Sequence, residues 1–165
     1  MKSIDNINNL NKSDFLTIFG NVFEKTDWIA EKAFGLKPFK DFDDFFSKIF
    51  DLYDNSQKKN ILLILNSHPE LAVAKKLTSE SRSEQAGAKL NECSDGEFEE
   101  FKKLNLEYKN KFGFPFIIAV KGKNKNEILN NFRQRILNDI ESEFEEAKKQ
   151  VKKIATFRLN EIINQ

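Results

Sequence analysis

The chain has 165 residues, the size of one domain with a core of its own, and we predict a single domain over residues 1–165. Lysine and arginine total 27 against 26 acidic residues, so the formal net charge of +1 favours neither nucleic acid nor an anionic membrane surface as a partner. The longest apolar runs, residues 61–65 and 114–120, are far shorter than the roughly 20 residues that cross a bilayer.

Cysteine and histidine occur once each, as Cys93 and His68. One cysteine excludes an internal disulfide, and the pair cannot supply a zinc site of the usual Cys and His ligands. A metal site built from carboxylates alone stays open, but no motif supports it. The N-terminus also lacks an apolar signal core, which indicates an intracellular protein.

Apolar residues recur at three- and four-residue spacing along most of the chain, which is typical of amphipathic helices. Three such stripes come first, at residues 15–23, 42–53 and 61–65. Pro69 is typical of the first turn of a helix, where its missing N–H needs no partner. We therefore expect His68 to stand at the start of a helix.

The segment Ser81-Arg82-Ser83-Glu84 has the spacing of a capping box, with Ser81 as the N-cap and Glu84 as its reciprocal partner. Periodicity predicts a further helix over residues 98–108 and two more between residue 126 and the C-terminus. Residues 114–120 have the composition of a buried strand, but the chain offers no second strand to pair with it. We therefore predict an all-α fold, a single-domain multi-helix bundle with one extended buried connector.

His68 is the natural candidate for proton transfer, because an ordinary imidazole titrates near neutral pH. A capping or surface role is the alternative for a lone histidine. Glu84 carries the charge to orient and tune that imidazole, but the capping box already gives it a structural role.

Arg158 is flanked by apolar residues on its helix, at positions 151, 154, 155, 159 and 162, so its guanidinium points toward the apolar side. A charge that faces a core requires an anionic partner, either an internal carboxylate or one on a ligand. A side chain that extends to solvent is a third alternative. The apolar connector is ambiguous too: it is core, or its unpaired backbone groups bind a planar, amide-rich heterocycle.

The chain lacks the Walker loop, the dinucleotide glycine fingerprint, the nucleophile elbow and the zinc-protease motif. Six fragments of the chain are informative because of their order and spacing. They are Phe19-Gly20-Asn21-Val22-Phe23-Glu24, Pro38-Phe39-Lys40-Asp41, His68-Pro69-Glu70-Leu71-Ala72, Glu80-Ser81-Arg82-Ser83-Glu84-Gln85, residues 111–118 and residues 154–159. In order and spacing these fragments resemble the 2-oxo-4-hydroxy-4-carboxy-5-ureidoimidazoline (OHCU) decarboxylase family, over nearly the whole chain.

The resemblance implies a site. The histidine of the family's His-Pro motif is the catalytic acid/base and corresponds to His68, and the glutamate of its Glu-Gln pair corresponds to Glu84. The implied substrate-binding residues are Pro69, Ser81, Arg82, Ser83, Glu84, Gln85, Phe116, Ile117, Ile118, Ala119, Val120 and Arg158. One departure is the link at residues 74–78, which is shorter than the glycine-containing link common in the family.

The resemblance also implies an activity, the decarboxylation of the ureidoimidazoline to (S)-allantoin in urate breakdown. No cofactor is implied, because a ring C=N lies beta to the departing carboxylate and accepts its electrons. A homodimer is implied, with neither nucleic acid nor membrane as a partner. The C-terminal Ile163-Asn164-Gln165 lacks the Ser-Lys-Leu peroxisomal address of eukaryotic relatives, which favours a cytoplasmic setting.

Two other functions stay open at this point. One is a related enzyme that acts on a different cyclic ureide, since the motifs specify a planar amide-rich ring better than its substituents. The other is a noncatalytic helical interaction module, in which His68 and Glu84 only cap helices and an apolar groove takes a partner helix.

Overall fold

The computed structural model describes residues 3–73 and 77–165 of the chain, and over these residues the fold is helical. The nine α-helices in this part of the chain are α1 (Ile4–Asn8), α2 (Lys12–Phe19), α3 (Trp28–Phe34), α4 (Phe42–Asp54), α5 (Lys58–Ser67), α6 (Ser79–Gly87), α7 (Asp95–Phe112), α8 (Lys125–Arg135) and α9 (Ile140–Asn164). A short 3₁₀ helix, Leu90–Glu92, lies between α6 and α7. The prediction of an all-α fold is confirmed.

The described chain divides into two compact units. The first contains the residues up to Ser67 together with Lys152–Gln165, and the second contains those from His68 to Val151. None of the described helices is both long and apolar enough to cross a bilayer. The single domain over residues 1–165 stays a prediction, and the short link at residues 74–78 falls largely outside the described residues.

In the first unit, α3 packs against α2 and α4, and phenylalanine rings fill the core. Helix α4 begins where the side chain of Asp41 accepts the backbone N–H of Asp44 at 2.7 Å. Four rings form a cluster in which five pairs have centroids 4.8–6.5 Å apart: Phe15, Phe19, Phe39 and Phe45. Their mutual burial contributes to the apolar core of this unit.

In the second unit, α7 packs against α8, and α6 packs against the 3₁₀ helix. Both α7 and α8 begin with a reciprocal capping box, formed by Ser94 with Glu97 and by Asn124 with Glu127. The core is again aromatic, and the rings of Phe116 and Phe132 stack with their centroids 3.9 Å apart. Phe116 belongs to the connector, so this stack anchors the connector to α8.

The helical stripes correspond to helices, but the first stripe outlasts its helix and two short helices have no stripe. The stripe at residues 42–53 is α4, and the two predicted C-terminal helices are α8 and α9. The first stripe ends early, because α2 stops at Phe19 and Val22 and Phe23 lie buried beyond it. The sequence does not predict α1 or α3, whose five and seven residues are too short to display a helical period.

The predicted connector is also confirmed. All seven residues from 114 to 120 are buried, and none belongs to a strand. They leave α7 through Gly113, whose φ of 80° ends that helix in the left-handed region that favours glycine. An extended segment therefore runs among helices without a strand beside it.

The prediction that His68 begins a helix is wrong. Helix α5 ends at Ser67, and His68 and Pro69 follow that end in a loop. The physical reason is that a proline disfavours helical geometry at the residue before it and cannot donate to a preceding turn. Pro69 therefore ends one helix rather than starting the next.

The capping box at Ser81 and Glu84 is wrong as well. Helix α6 begins earlier, at Ser79, where the side chain of Thr78 accepts the backbone N–H of Ser81 at 3.3 Å. Thr78 is a good N-cap residue and lies three residues before Ser81, so the helix begins about one turn earlier than predicted. Glu84 then lies inside the helix, and capping no longer accounts for it.

Within the second unit, a buried carboxylate links α7, α8 and the first part of α9. Glu143 of α9 is fully buried; it accepts a hydrogen bond from the hydroxyl of Tyr108, one from Arg135 Nε at 2.8 Å and one from Asn138 Nδ2 at 3.0 Å. Burial of the phenol, reinforced by the carboxylate, raises the pKa of Tyr108 above its usual range. Tyr108 therefore keeps its proton and serves as a donor.

We expect Glu143→Gln to lower the free energy of unfolding by about 3–5 kcal/mol, because it leaves the guanidinium of Arg135 buried without its counter-charge. Tyr108→Phe removes one hydrogen bond from the same carboxylate but no charge, and should cost less, about 1.5–3 kcal/mol. Urea unfolding of both variants measures the difference. Equal losses for the two variants would contradict the charge argument.

Candidate functional site

His68 is a buried residue of the loop that follows α5. The histidine is 8% exposed, and the loop continues through Pro69 and Glu70 to Ala72, whose φ of 53° lies in the left-handed region. An L-residue with a β-carbon adopts that region only where neighbouring contacts hold it. Contacts around Ala72 are thus needed to hold its backbone, and the imidazole of His68 is largely removed from solvent.

Helix α6 presents part of the predicted binding segment inward and part outward. Ser81 and Gln85, one helical turn apart, are buried, and Glu84 is half-buried. Arg82 and Ser83 are exposed. Of the five residues in this segment, three thus face the interior of the second unit.

Two buried amides join this helix and α7 to the loop after His68. Gln85 Oε1 accepts the backbone N–H of Ala72 at 3.2 Å, and Gln85 Nε2 donates to the carbonyl of Glu70 at 3.3 Å. Asn105 Nδ2, from α7, donates to the carbonyl of Leu71 at 3.0 Å. The His-Pro loop and the helix that carries Glu84 are therefore brought together in the second unit.

The connector is held from behind by side chains of α8 and α9. Arg135 Nη1 donates to the carbonyl of Ile117 at 2.6 Å, and Gln150 Oε1 accepts the N–H of Ala119 at 3.0 Å. In an extended chain the peptide groups of odd and even residues point to opposite sides. Both contacts are to backbone groups of odd-numbered residues, so they hold one edge of the connector. In an extended chain the N–H and C=O of Ile118 would lie along the opposite edge.

Arg158 belongs to the first unit and has an internal carboxylate partner. Its Nη2 lies 2.8 Å from Glu24 Oε2, its Nη1 donates to the carbonyl of Asn21 at 2.9 Å, and both charged side chains are almost fully buried. Among the alternatives that the sequence left open, the internal carboxylate is therefore present, and extension to solvent is wrong. The predicted contact between Arg158 and a ligand stays a prediction.

A cavity of about 450 Å³ lies along α6 in the second unit. Arg82 and Gln85 line it together with Ala72 of the loop, and Cys93 and Phe98 line it from the chain beyond the helix. Burial of the thiol raises the pKa of Cys93, which keeps it protonated at neutral pH. No group of three potential metal ligands from His, Cys, Asp and Glu occurs among the described residues.

Sequence reasoning missed the side chains that support the site. Asn105, Arg135 and Gln150 each follow or precede apolar residues on a helical stripe and are each at least nine-tenths buried. The signal was available, because a polar residue on an apolar stripe is the observation that singled out Arg158. Periodicity identifies such residues, but only the packed structure shows which backbone groups they bind.

Comparisons with known proteins point to one family, and the matches cover nearly the whole chain. The family model described as OHCU decarboxylase matches residues 8–160. The 2-oxo-4-hydroxy-4-carboxy-5-ureidoimidazoline decarboxylase of Haloferax volcanii is 33% identical over 159 residues, which cover 96% of this chain and 95% of that protein.

A second relative is longer. The uric acid degradation bifunctional protein of Bacillus sp. (strain TB-90) is 36% identical over 165 residues, which cover 100% of this chain and 33% of that protein. The chain thus spans about a third of that relative's length. In fold, the chain is similar to the crystal structure of an OHCU decarboxylase in the presence of (S)-allantoin, with a TM-score of 0.74, 24% identity, and coverage of 88% of this chain and 97% of that one.

Proposed function

The chain belongs to the OHCU decarboxylase family, and we propose that it decarboxylates 2-oxo-4-hydroxy-4-carboxy-5-ureidoimidazoline to (S)-allantoin in urate breakdown. The observation that supports this most directly is the buried His68, on a loop that is hydrogen-bonded to the helix carrying Glu84. An imidazole, a side chain that commonly serves as a general acid or base, and a carboxylate on adjoining elements suit a reaction that moves protons.

The substrate supplies its own electron sink in this proposal. The bond between the ring carbon and the carboxylate breaks, carbon dioxide leaves, and the electron pair forms a carbon–carbon double bond within the ring. The neighbouring C=N receives electrons at nitrogen, which takes up a proton. The hydroxyl of the enol then loses its proton to become a carbonyl, while the ureido-bearing carbon gains one. One proton is consumed overall, and no cofactor is required.

His68 is the residue we assign to these proton movements. We propose that it takes the hydroxyl proton and delivers a proton to one face of the ring, and that Glu84 orients its imidazole and stabilises the charged form. Protonation on one face explains why a single enantiomer forms. This assignment fits Glu84 better than capping does, because the side chain lies within α6 rather than at its start.

The connector is suited to hold the planar ring. Arg135 binds the carbonyl of Ile117, and Gln150 binds the N–H of Ala119. In an extended chain the N–H and C=O of the residue between them point to the opposite edge. We propose that the connector, Pro69, and Ser81 and Glu84 of α6 bind the ureido and amide groups of the substrate by hydrogen bonds and shape. The contact of Arg158 with the ligand is proposed from the family resemblance alone.

The test is a stereochemical assay. Urate oxidase and hydroxyisourate hydrolase generate the unstable substrate in the cuvette, this protein is added, and circular dichroism follows optically active allantoin. We expect rapid formation of the (S) enantiomer with the wild-type protein and the spontaneous rate with heat-denatured protein. Racemic allantoin at the spontaneous rate would overturn the proposal.

Two parts of the proposal have separate tests. A protein that leaves the ureidoimidazoline unchanged but converts another cyclic ureide in a parallel assay would move the function to that substrate. The homodimer and the cytoplasmic setting stay predictions, and sedimentation equilibrium of the purified chain tests the first of them.

A further inference from the structure

We propose that Gln85 is a positioning residue, which fixes the loop that carries His68 to the helix that carries Glu84, with Asn105 as its support. The catalytic consequence rests on the proposed function above, whereas the structural link rests on contacts within the second unit alone. The family resemblance implies instead that Gln85 contacts the substrate directly.

The contacts cover three consecutive residues of the loop. Gln85 holds the carbonyl of Glu70 and the N–H of Ala72, and Asn105 holds the carbonyl of Leu71 between them. Gln85 is 7% exposed and Asn105 is 3% exposed. Buried peptide groups outside regular structure need such partners, because water cannot replace them.

The backbone of the loop explains why these three hydrogen bonds, which we call the clamp, are needed. Ala72 has a φ of 53°, which an alanine adopts at a conformational cost, and its N–H is the group that Gln85 Oε1 accepts. Without this bond the left-handed residue loses a contact that opposes its relaxation toward ordinary geometry. Relaxation there moves Pro69 and His68, which lie only three and four residues earlier in the loop.

The position of Gln85 in sequence couples the two proposed catalytic residues. Gln85 follows Glu84 in α6, so the two side chains move together with the helix. Because Gln85 is hydrogen-bonded to the loop after His68, any displacement of α6 also displaces that loop. Proton transfer requires the acid/base group within hydrogen-bond reach of its target. A misplacement of about 1 Å can cost 10²-fold in rate, so a clamp of this kind has a measurable effect on turnover.

The test uses the fact that His68 is the only histidine of the chain. Its imidazole gives a single set of signals in a long-range ¹H–¹⁵N spectrum, provided that the purification tag contains no histidine. Gln85→Met keeps the length of the side chain and removes both hydrogen bonds. We expect changed or broadened imidazole signals, a fall in kcat of about 10- to 100-fold, and a KM within about threefold of wild type.

Asn8→Leu is the matched control. Asn8, in the first unit, binds the backbone of Phe39 in the same two-sided way, with Nδ2 donating to its carbonyl and Oδ1 accepting its N–H, both at 2.8 Å. The control thus also loses two side-chain bonds to one loop. We expect unchanged imidazole signals and unchanged kcat from it.

Further variants keep the test decisive. Gln85→Glu retains an acceptor for the N–H of Ala72 and should restore part of the wild-type spectrum and turnover. Asn105→Leu removes the third bond of the loop and replaces Gln85→Met if that variant does not fold, with the same expected spectrum.

Unchanged imidazole signals in a folded Gln85→Met protein would overturn the proposal, and a raised KM beside them would assign Gln85 to direct substrate contact. A wild-type protein that is inactive on the ureidoimidazoline removes the proposed function only, because the spectra report the link between Gln85 and His68 without any turnover.

Discussion

His68→Asn should lower the rate of enzyme-dependent (S)-allantoin formation by about 10²–10⁴-fold, the usual contribution of general acid/base catalysis. Asparagine is similar in size and polar, so it preserves much of the packing of a residue that is 8% exposed, but it cannot exchange a proton near neutral pH. The initial rate of circular dichroism change, at matched concentrations of folded protein, measures the effect.

A second variant tests whether Glu84 works through His68. Residues that act as a unit show non-additive losses, because the second change removes nothing once the first has removed the function. We therefore expect Glu84→Gln to slow the wild-type enzyme and to have little further effect in the His68→Asn background. Near-normal turnover by folded His68→Asn would remove this histidine from the mechanism, and fully additive losses would assign Glu84 an independent role.

Arg158→Met should lower the free energy of unfolding by about 3–5 kcal/mol, because it removes the charged partner of the fully buried Glu24. Glu24→Gln should cost a similar amount for the converse reason. The double variant Glu24→Gln/Arg158→Met should lose less than the sum of the two, since neither charge then remains buried. Urea unfolding of the four proteins forms the thermodynamic cycle.

The same four proteins separate the structural role of Arg158 from its proposed ligand contact. A guanidinium has five N–H donors, so its bonds to Glu24 and to the carbonyl of Asn21 are compatible with a further contact. We expect KM to rise at least about tenfold in both proteins that lack Arg158, as for a lost charged hydrogen bond, and to stay near wild type in Glu24→Gln. If KM instead rises in proportion to the loss of stability across all four proteins, including Glu24→Gln, the role of Arg158 is structural only.

The sequence predicted the class of the fold and the candidate site from different kinds of information. Apolar spacing predicted α4, α8 and α9, because each is long enough to show a helical period. The connector was predicted by elimination, since a strand-like run without a partner strand has no sheet to join. The site was suggested by ordered motifs, and the family membership that they implied is confirmed by the match over residues 8–160.

Predictions from local sequence were wrong where the same short motif is compatible with two different local structures. Pro69 suits both the first turn of a helix and the residue after a helix, and only the length of α5 decides between them. The Ser81-x-x-Glu84 spacing likewise fits a capping box, but Thr78 offers a competing N-cap one turn earlier. Real capping boxes occur instead at the starts of α7 and α8.

By itself, the sequence determined that this chain is helical, that residues 114–120 are buried without a strand, and that His68 and Arg158 are unusual in their surroundings. These properties follow from composition and period, which are local. Only the tertiary structure decided that Glu24 pairs with Arg158, that Arg135 and Gln150 bind the connector, and that Gln85 and Asn105 bind the loop after His68. Such partners lie up to 134 residues apart, and a hydrogen bond is fixed by distance and direction in space, which spacing along the chain does not encode.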